Sequence, residues 1–197
     1  MLFSLIVLNI TLSPMRNIRL ITSLIAGGVA FSTVGILGTV TGENITQAQR
    51  PPRSTSLLKA KCVNSGLGNV REENMDVAIG RAVYSSKFYL GPGYRSAAMT
   101  CKIKPDNSQQ PIFQTLNLGF GIRDNDNRSP AVEVRVYLDG NPAETRKISP
   151  SQPTTLSLDV SSVSNVSIEA VCSSGRQYCD RVYFFDAGLV RPTPQSK

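Results

Sequence analysis

The sequence predicts an all-β fold, an antiparallel β-sandwich, and two observations carry that prediction. Over Ala131 to Gly140, Val132, Val134, Val136 and Leu138 alternate with Glu133, Arg135, Tyr137 and Asp139. That period-2 pattern marks a strand with one face in a core and one in water. Short runs of the same kind recur at roughly 8–12-residue spacing with Gly, Pro, Asn and Asp between them, while helix signals are almost absent. The 197 residues suffice for one such domain and a targeting segment.

Taken in order, residues 1–48 read as a signal peptide. Arg16 and Arg19 precede an uncharged apolar run from Leu20 to Val40, and Thr46 and Ala48 satisfy the small-x-small rule for cleavage after Ala48. Met15 is the better start, because Met1 to Pro14 places a second apolar run ahead of the charges. The competing reading of residues 20–40 is a retained membrane anchor, since the run is long enough to span; after cleavage no membrane association is expected. Residues 49–74 are read as a Pro- and Ser-rich linker and an N-terminal extension.

The sandwich is expected over 75–190, with 191–197 as a tail. Its strands are Met75–Val83, Ser96–Ile103, Ile112–Ile122, Val132–Leu138, Arg146–Ile148, Thr155–Val160, Val166–Val171 and Val182–Leu189. Phe88–Arg95, with two glycines and a proline, reads as a loop carrying three aromatics, and Asp139-Gly140-Asn141-Pro142 as a turn. Val132, Val134, Val136 and Leu138 are expected to face inward.

Composition excludes several chemistries. The chain has no His, which removes the commonest general base and metal ligand together. A Ser-His-Asp triad, a Cys-His dyad and an HExxH zinc site are all ruled out. Asp159, Asp180 and Asp186 lie at strand starts and ends, a poor placement for a glycosidase acid–nucleophile pair, and no enzyme is expected. Net charge is +7, and +6 beyond residue 48. A basic protein attracts polyanions, but Lys and Arg are spread along the sequence with no run of four, so nucleic acid is not an expected partner.

Four cysteines, Cys62, Cys101, Cys172 and Cys179, in an exported domain imply two disulfides. Three pairings are possible. Cys172 and Cys179 bracket a short polar loop and suit a local bridge, which leaves Cys62 for Cys101. A four-cysteine zinc site lacks any CxxC spacing.

One resemblance covers most of the expected domain. Tyr89-Leu90-Gly91 with Arg95-Ser96-Ala97, then FQTLNLGFGIRDND, VEVRVYLDG, TTLSLDVSSVSNVSIEAVC and CDRVYFFDAGL, resemble the NPCBM-type modules, the carbohydrate-binding domains associated with some glycoside hydrolases. The sequence departs from that family at Phe184, where the family has Trp, and lacks its early His, near which Arg95 stands. The resemblance implies a jelly-roll sandwich of the galactose-binding-like kind and, more loosely, sugar binding.

Modules of that type hold sugars by stacking aromatic faces on C–H surfaces and hydrogen-bonding the hydroxyls. Without Trp, the loop aromatics Tyr94 and Tyr178 are the expected platforms, and Arg95, Arg176, Asp124 and Asp126 the polar contacts. Arg favours carboxylate or sulfate, so an acidic polysaccharide of the cell surface or envelope is the expected partner. The rival reading is an envelope sandwich that packs on another protein and has no sugar ligand. No cofactor is expected. Asp124, Asp126 and Asp139 are oxygen donors of the type Ca²⁺ takes, but no Gly and Glu complete a calcium loop, and ordinary turn roles are the favoured reading.

Overall fold

A computed structural model describes residues 54–192. The leader, its cleavage site, the start at Met15 and most of the tail lie outside the described residues. Eleven strands occupy the described chain: β1 (Ser54–Ser56), β2 (Lys61–Gly66), β3 (Asn69–Ile79), β4 (Ala82–Gly91), β5 (Ser96–Lys102), β6 (Thr115–Gly121), β7 (Val132–Leu138), β8 (Asn141–Ile148), β9 (Thr154–Asp159), β10 (Asn165–Cys172) and β11 (Val182–Val190).

They form two antiparallel sheets. One has the order β3-β4-β11-β6-β9, with β1 also on β11; the other has the order β2-β5-β10-β7-β8. The alternation in β7 does what its sequence says. Val132, Val134 and Val136 are buried, Leu138 is partly buried against the same core, and Glu133, Arg135 and Tyr137 face outward. In β6, Leu116, Leu118 and Phe120 fill the core from the other sheet. Phe184 lies at the middle of this core. Its ring stacks on Phe88 at 4.5 Å between centroids and tilts against Phe120 at 5.3 Å. At the site where the resemblance sets a Trp, three phenylalanines share the volume.

Asp139 and Gly140, both with positive φ, turn β7 into β8, as an Asp-Gly pair does in a two-residue hairpin. The Asp139 carboxylate also accepts from the backbone N–H groups of Ser164 and Asn165 at the start of β10. It is a turn residue that ties two connections together.

The sheets take in more chain than the alternation indicates. Residues 54–74, read as linker and extension, contribute β1, β2 and the start of β3. The stretch Met75–Val83 is not one strand but the tip of the β3–β4 hairpin. Gly80 and Arg81 turn the chain with φ of 62° and 67°, the two left-handed residues a type I′ turn demands. The expected loop Phe88–Arg95 begins as strand, because Phe88, Tyr89 and Leu90 are all buried in β4.

The β3–β4 hairpin is an arm folded over its own sheet. β4 pairs with β11 only through Phe88–Leu90 against Val182–Phe184, and the register of β11 shifts between Phe184 and Asp186. Where β4 leaves, the Ser86 hydroxyl donates to the carbonyls of Phe88 and Phe184, which satisfies a buried acceptor that the ladder abandons. In a flat sheet β3 would stand three strand spacings, about 14 Å, from β6. Instead Ile79 sits on Gly121 so closely that a Cβ there would come within 2.9 Å of Ile79 Cγ2. The arm therefore covers the outer face of the sheet. It buries Val77, Ile79, Tyr89 and Tyr183 as a second, smaller core and stacks Tyr84 on Phe185 at 4.2 Å. β1 takes the part of the β11 edge that β4 gives up, pairing Ser54–Ser56 with Gly188–Val190.

Both expected disulfides are present. Cys62 and Cys101 are direct partners across the β2–β5 ladder, and Cys172 and Cys179 close a loop between β10 and β11. Chain entropy predicts unequal contributions. Replacing Cys62 and Cys101 by Ser should cost about 4 kcal/mol, and replacing Cys172 and Cys179 about 2.5 kcal/mol. Equilibrium unfolding in denaturant measures both, and an order reversed between the pairs would contradict the entropic account.

Candidate functional site

The end of the sandwich where β2, β4 and β10 finish carries a concave corner. β4 stops at Gly91, and Pro92 to Arg95 form a tight turn closed by the Arg95 N–H on the Pro92 carbonyl at 3.0 Å. Gly93 has φ of +60°, and a Cβ there would touch the Tyr178 ring at 3.4 Å. The disulfide loop is fastened to this turn at both of its cysteines. The Cys179 N–H donates to the Gly93 carbonyl and the Cys172 N–H to the Arg95 carbonyl, each at 2.8 Å. The bridge thus fixes where Tyr178 stands relative to Tyr94.

A pocket of about 410 Å³ lies in that corner, lined by Leu67, Gly68 and Asn69 of the β2–β3 turn, by Gly91 to Arg95, and by Tyr178. Gly68 makes the close wall possible, since a Cβ on it would meet the Gly91 carbonyl at 2.3 Å. Tyr94, Tyr178 and Leu67 are 61%, 53% and 78% exposed, unusual for side chains of this size. The two tyrosine rings meet edge to face, 5.5 Å apart and at 82°. They do not make a flat platform: the face of one and the edge of the other form a floor and a wall.

Of the residues named from sequence, the structure brings Tyr94, Arg95 and Tyr178 together here. Arg176 is exposed on the same disulfide loop but does not line the pocket. Its loop is braced by Ser174, whose hydroxyl accepts from the Gln177 N–H at 3.1 Å. Leu67 and Asn69, which sequence reasoning missed, complete the corner. The exposed Leu67 between two polar turns was the one signal available.

Asp124 and Asp126 lie outside this pocket and have other partners. The Asp124 carboxylate accepts from Gly80 N–H at 2.7 Å and Arg81 N–H at 3.0 Å, holding the tip of the arm. The Ser151 hydroxyl and these two N–H groups hold it below the usual carboxylate range. Asp126 pairs with both Arg123 Nε and Nη2 at 3.0 Å, a bidentate geometry. The Arg123 guanidinium lies 5.0 Å over the Tyr183 ring, and Arg181 lies 4.4 Å over Tyr89, so two cations cap the arm's apolar patch. Burial, with Asp126 nearby, pushes the Asp180 carboxyl up. Burial also raises the Tyr183 phenol, whose hydroxyl has no hydrogen-bond partner among the described residues. No group of three or more His, Cys, Asp or Glu side chains among the described residues is placed to hold a metal ion. Asp159 accepts from the Ser161 N–H at 2.8 Å, as a turn residue does.

No protein-family model matches the sequence, and no curated protein matches it. Solved structures do. CBM51-2 with the INT domains from Clostridium perfringens ZmpB, in complex with GlcNAc, matches with a TM-score of 0.57 at 14% identity over 71% of this chain and 32% of that one. CBM51 from Clostridium perfringens GH95, in complex with methyl-galactose, matches with a TM-score of 0.55 at 11% identity over 70% of this chain and 100% of that one. The fold is that of the CBM51 modules. The chain spans about a third of the length of the first structure. The expected jelly-roll sandwich of galactose-binding-like type is thereby established as architecture, and at these identities the likeness extends to the fold alone.

The Asp124 contact gives a pH signature. Because its folded value is lowered, its contribution is present above the ordinary aspartate value of 3.8 and is lost as pH falls through the lower folded value. The protection factors of the Gly80 and Arg81 amides, referred to intrinsic exchange at each pH, should therefore fall below that pH. In Asp124→Ala they should be low already at neutral pH, with the acid-dependent step at these amides gone. Protection at both amides that survives the substitution would show that other contacts hold the arm.

Proposed function

We propose that this protein is an exported, non-catalytic carbohydrate-binding module of the NPCBM type, and that it takes a sugar unit of a surface or extracellular polysaccharide in the Tyr94–Tyr178 corner. The corner itself carries the proposal: two exposed tyrosines and a leucine around a preformed pocket, fixed by a disulfide-braced turn. An aromatic face and an adjoining edge suit the apolar C–H face of a pyranose on one ring and its rim against the other. Asn69 and Arg95 supply hydrogen-bond donors at the margin, and Arg176 stands on the adjoining disulfide loop, outside the pocket lining. Asp124 and Asp126 act in the scaffold. The fold shared with CBM51 modules, whose structures hold GlcNAc and methyl-galactose, supports the sugar-binding reading, and the two disulfides support an oxidising compartment.

Open pockets with few polar contacts bind weakly. We expect a Kd of about 0.1–1 mM, or roughly −5.5 to −4 kcal/mol. A glycan array probed with the wild-type protein and a Tyr94→Ala/Tyr178→Ala double variant should show wild-type binding that the variant loses, with its thermal unfolding unchanged. If wild type binds no glycan, the protein-packing sandwich of the envelope replaces this proposal. If wild type and variant bind alike, the sugar sits elsewhere.

A further inference from the structure

A second pocket, of about 250 Å³, opens at the other end of the β2–β5 ladder. Lys61 pairs with Lys102 there, while Gly66 pairs with Ala97 beside the tyrosine corner. Five residue steps separate the two ends, about 17 Å. Of the lining lysines, Lys59 lies in the turn before β2 and Lys61 at its first residue, while Lys102 ends β5 and Lys104 follows it. The only carboxylate in its lining is Asp106, which pairs with Lys102. Lys59, Lys61 and Lys104 form no ion pair among the described residues. The lining also includes Ile103, Phe113 and Leu189, all buried, and the partly buried Ile112.

We propose that this pocket binds the carboxylate- or sulfate-bearing unit of an acidic polysaccharide, as a second site separate from the tyrosine corner. The proposal adopts the polysaccharide partner proposed above but not its site. Four lysines from two segments stand in this lining against a single carboxylate, and an anion relieves that excess of like charge, with the partly buried Ile112 beside it. Lysine suits this task, because a flexible ammonium serves carboxylate and sulfate alike without the fixed fork of arginine. A nucleic-acid strand fits less well. Phe113 is only 8% exposed and its ring is overlaid by Arg191 at 5.7 Å, so no aromatic face is open for a base to stack on.

The test is calorimetric titration of the full chain with a fully sulfated hexasaccharide, a hexagalacturonate, a neutral hexasaccharide and a single-stranded deoxythymidine oligomer. At least one of the two acidic oligosaccharides should bind, more weakly as salt rises. Lys61→Glu/Lys104→Glu should weaken that binding about tenfold or more, whereas reversing two distant exposed lysines, Lys87→Glu/Lys147→Glu, should weaken it only about twofold. Tyr94→Ala/Tyr178→Ala should leave it in place even if neutral-sugar binding is lost, so the two proposals fail separately. Lys61→Ala/Lys104→Ala guards against misfolding of the Glu variant and should act in the same direction. Equal effects of the near and distant reversals would overturn the proposal in favour of general charge attraction. Absence of binding to both acidic oligosaccharides would overturn it outright, and so would tightest binding to the oligonucleotide.

Discussion

Strand β11 is apolar on both faces, and the rest of the sandwich is arranged to bury both. Phe184 points into the space between the sheets and stacks on Phe88, while its neighbour Tyr183 points the other way. A two-sheet sandwich buries only the inner faces of its sheets. The outer face of β11 therefore needs a cover, and the β3–β4 arm supplies one by leaving the plane of its own sheet. The bulge at Phe185, the Ser86 hydroxyl on the Phe184 carbonyl and the short β1 on the vacated edge all follow from that departure. Losing a buried aromatic such as Phe184 would remove its ring contacts with Phe88 and Phe120 at once, in the range of about 3–5 kcal/mol for such truncations.

The part of this fold legible in the sequence is the part with one wet face. β7 alternates cleanly because its outer face meets water, and Asp139-Gly140 announces its turn. The arm was harder to read. Met75, Val77 and Ile79 alternate in β3 as a strand with one covered face does, but nothing local says that the cover is the outer face of β11 in the same sheet. The arm's turn is Gly80-Arg81, with a bulky residue in the left-handed region where Asn or Gly is usual. What makes that turn tenable is Asp124, more than forty residues away. A long-range carboxylate leaves no local mark, and the same residue, seen only as part of RDNDN, passes for a ligand.

The candidate site was legible to the extent that its side chains were out of place. Tyr94 and Tyr178 sit among glycine and polar neighbours where a core has no use for them. The edge-to-face meeting of their rings came from the disulfide loop and the Gly93 turn, which sequence spacing does not encode. The lysine pocket was invisible for a different reason. No two of Lys59, Lys61, Lys102 and Lys104 are adjacent in the chain, and the charge gathers only when β2 lies against β5 with Lys61 opposite Lys102.

Cys172 and Cys179 tie the tyrosine corner to the sandwich in two ways at once. Both donate their backbone N–H groups to the turn that carries Tyr94, and the loop they close carries Tyr178. One wall of the recess is thus cross-linked by sulfur and by backbone hydrogen bonds together, and a reducing agent acts on the same loop that a ligand in the recess meets.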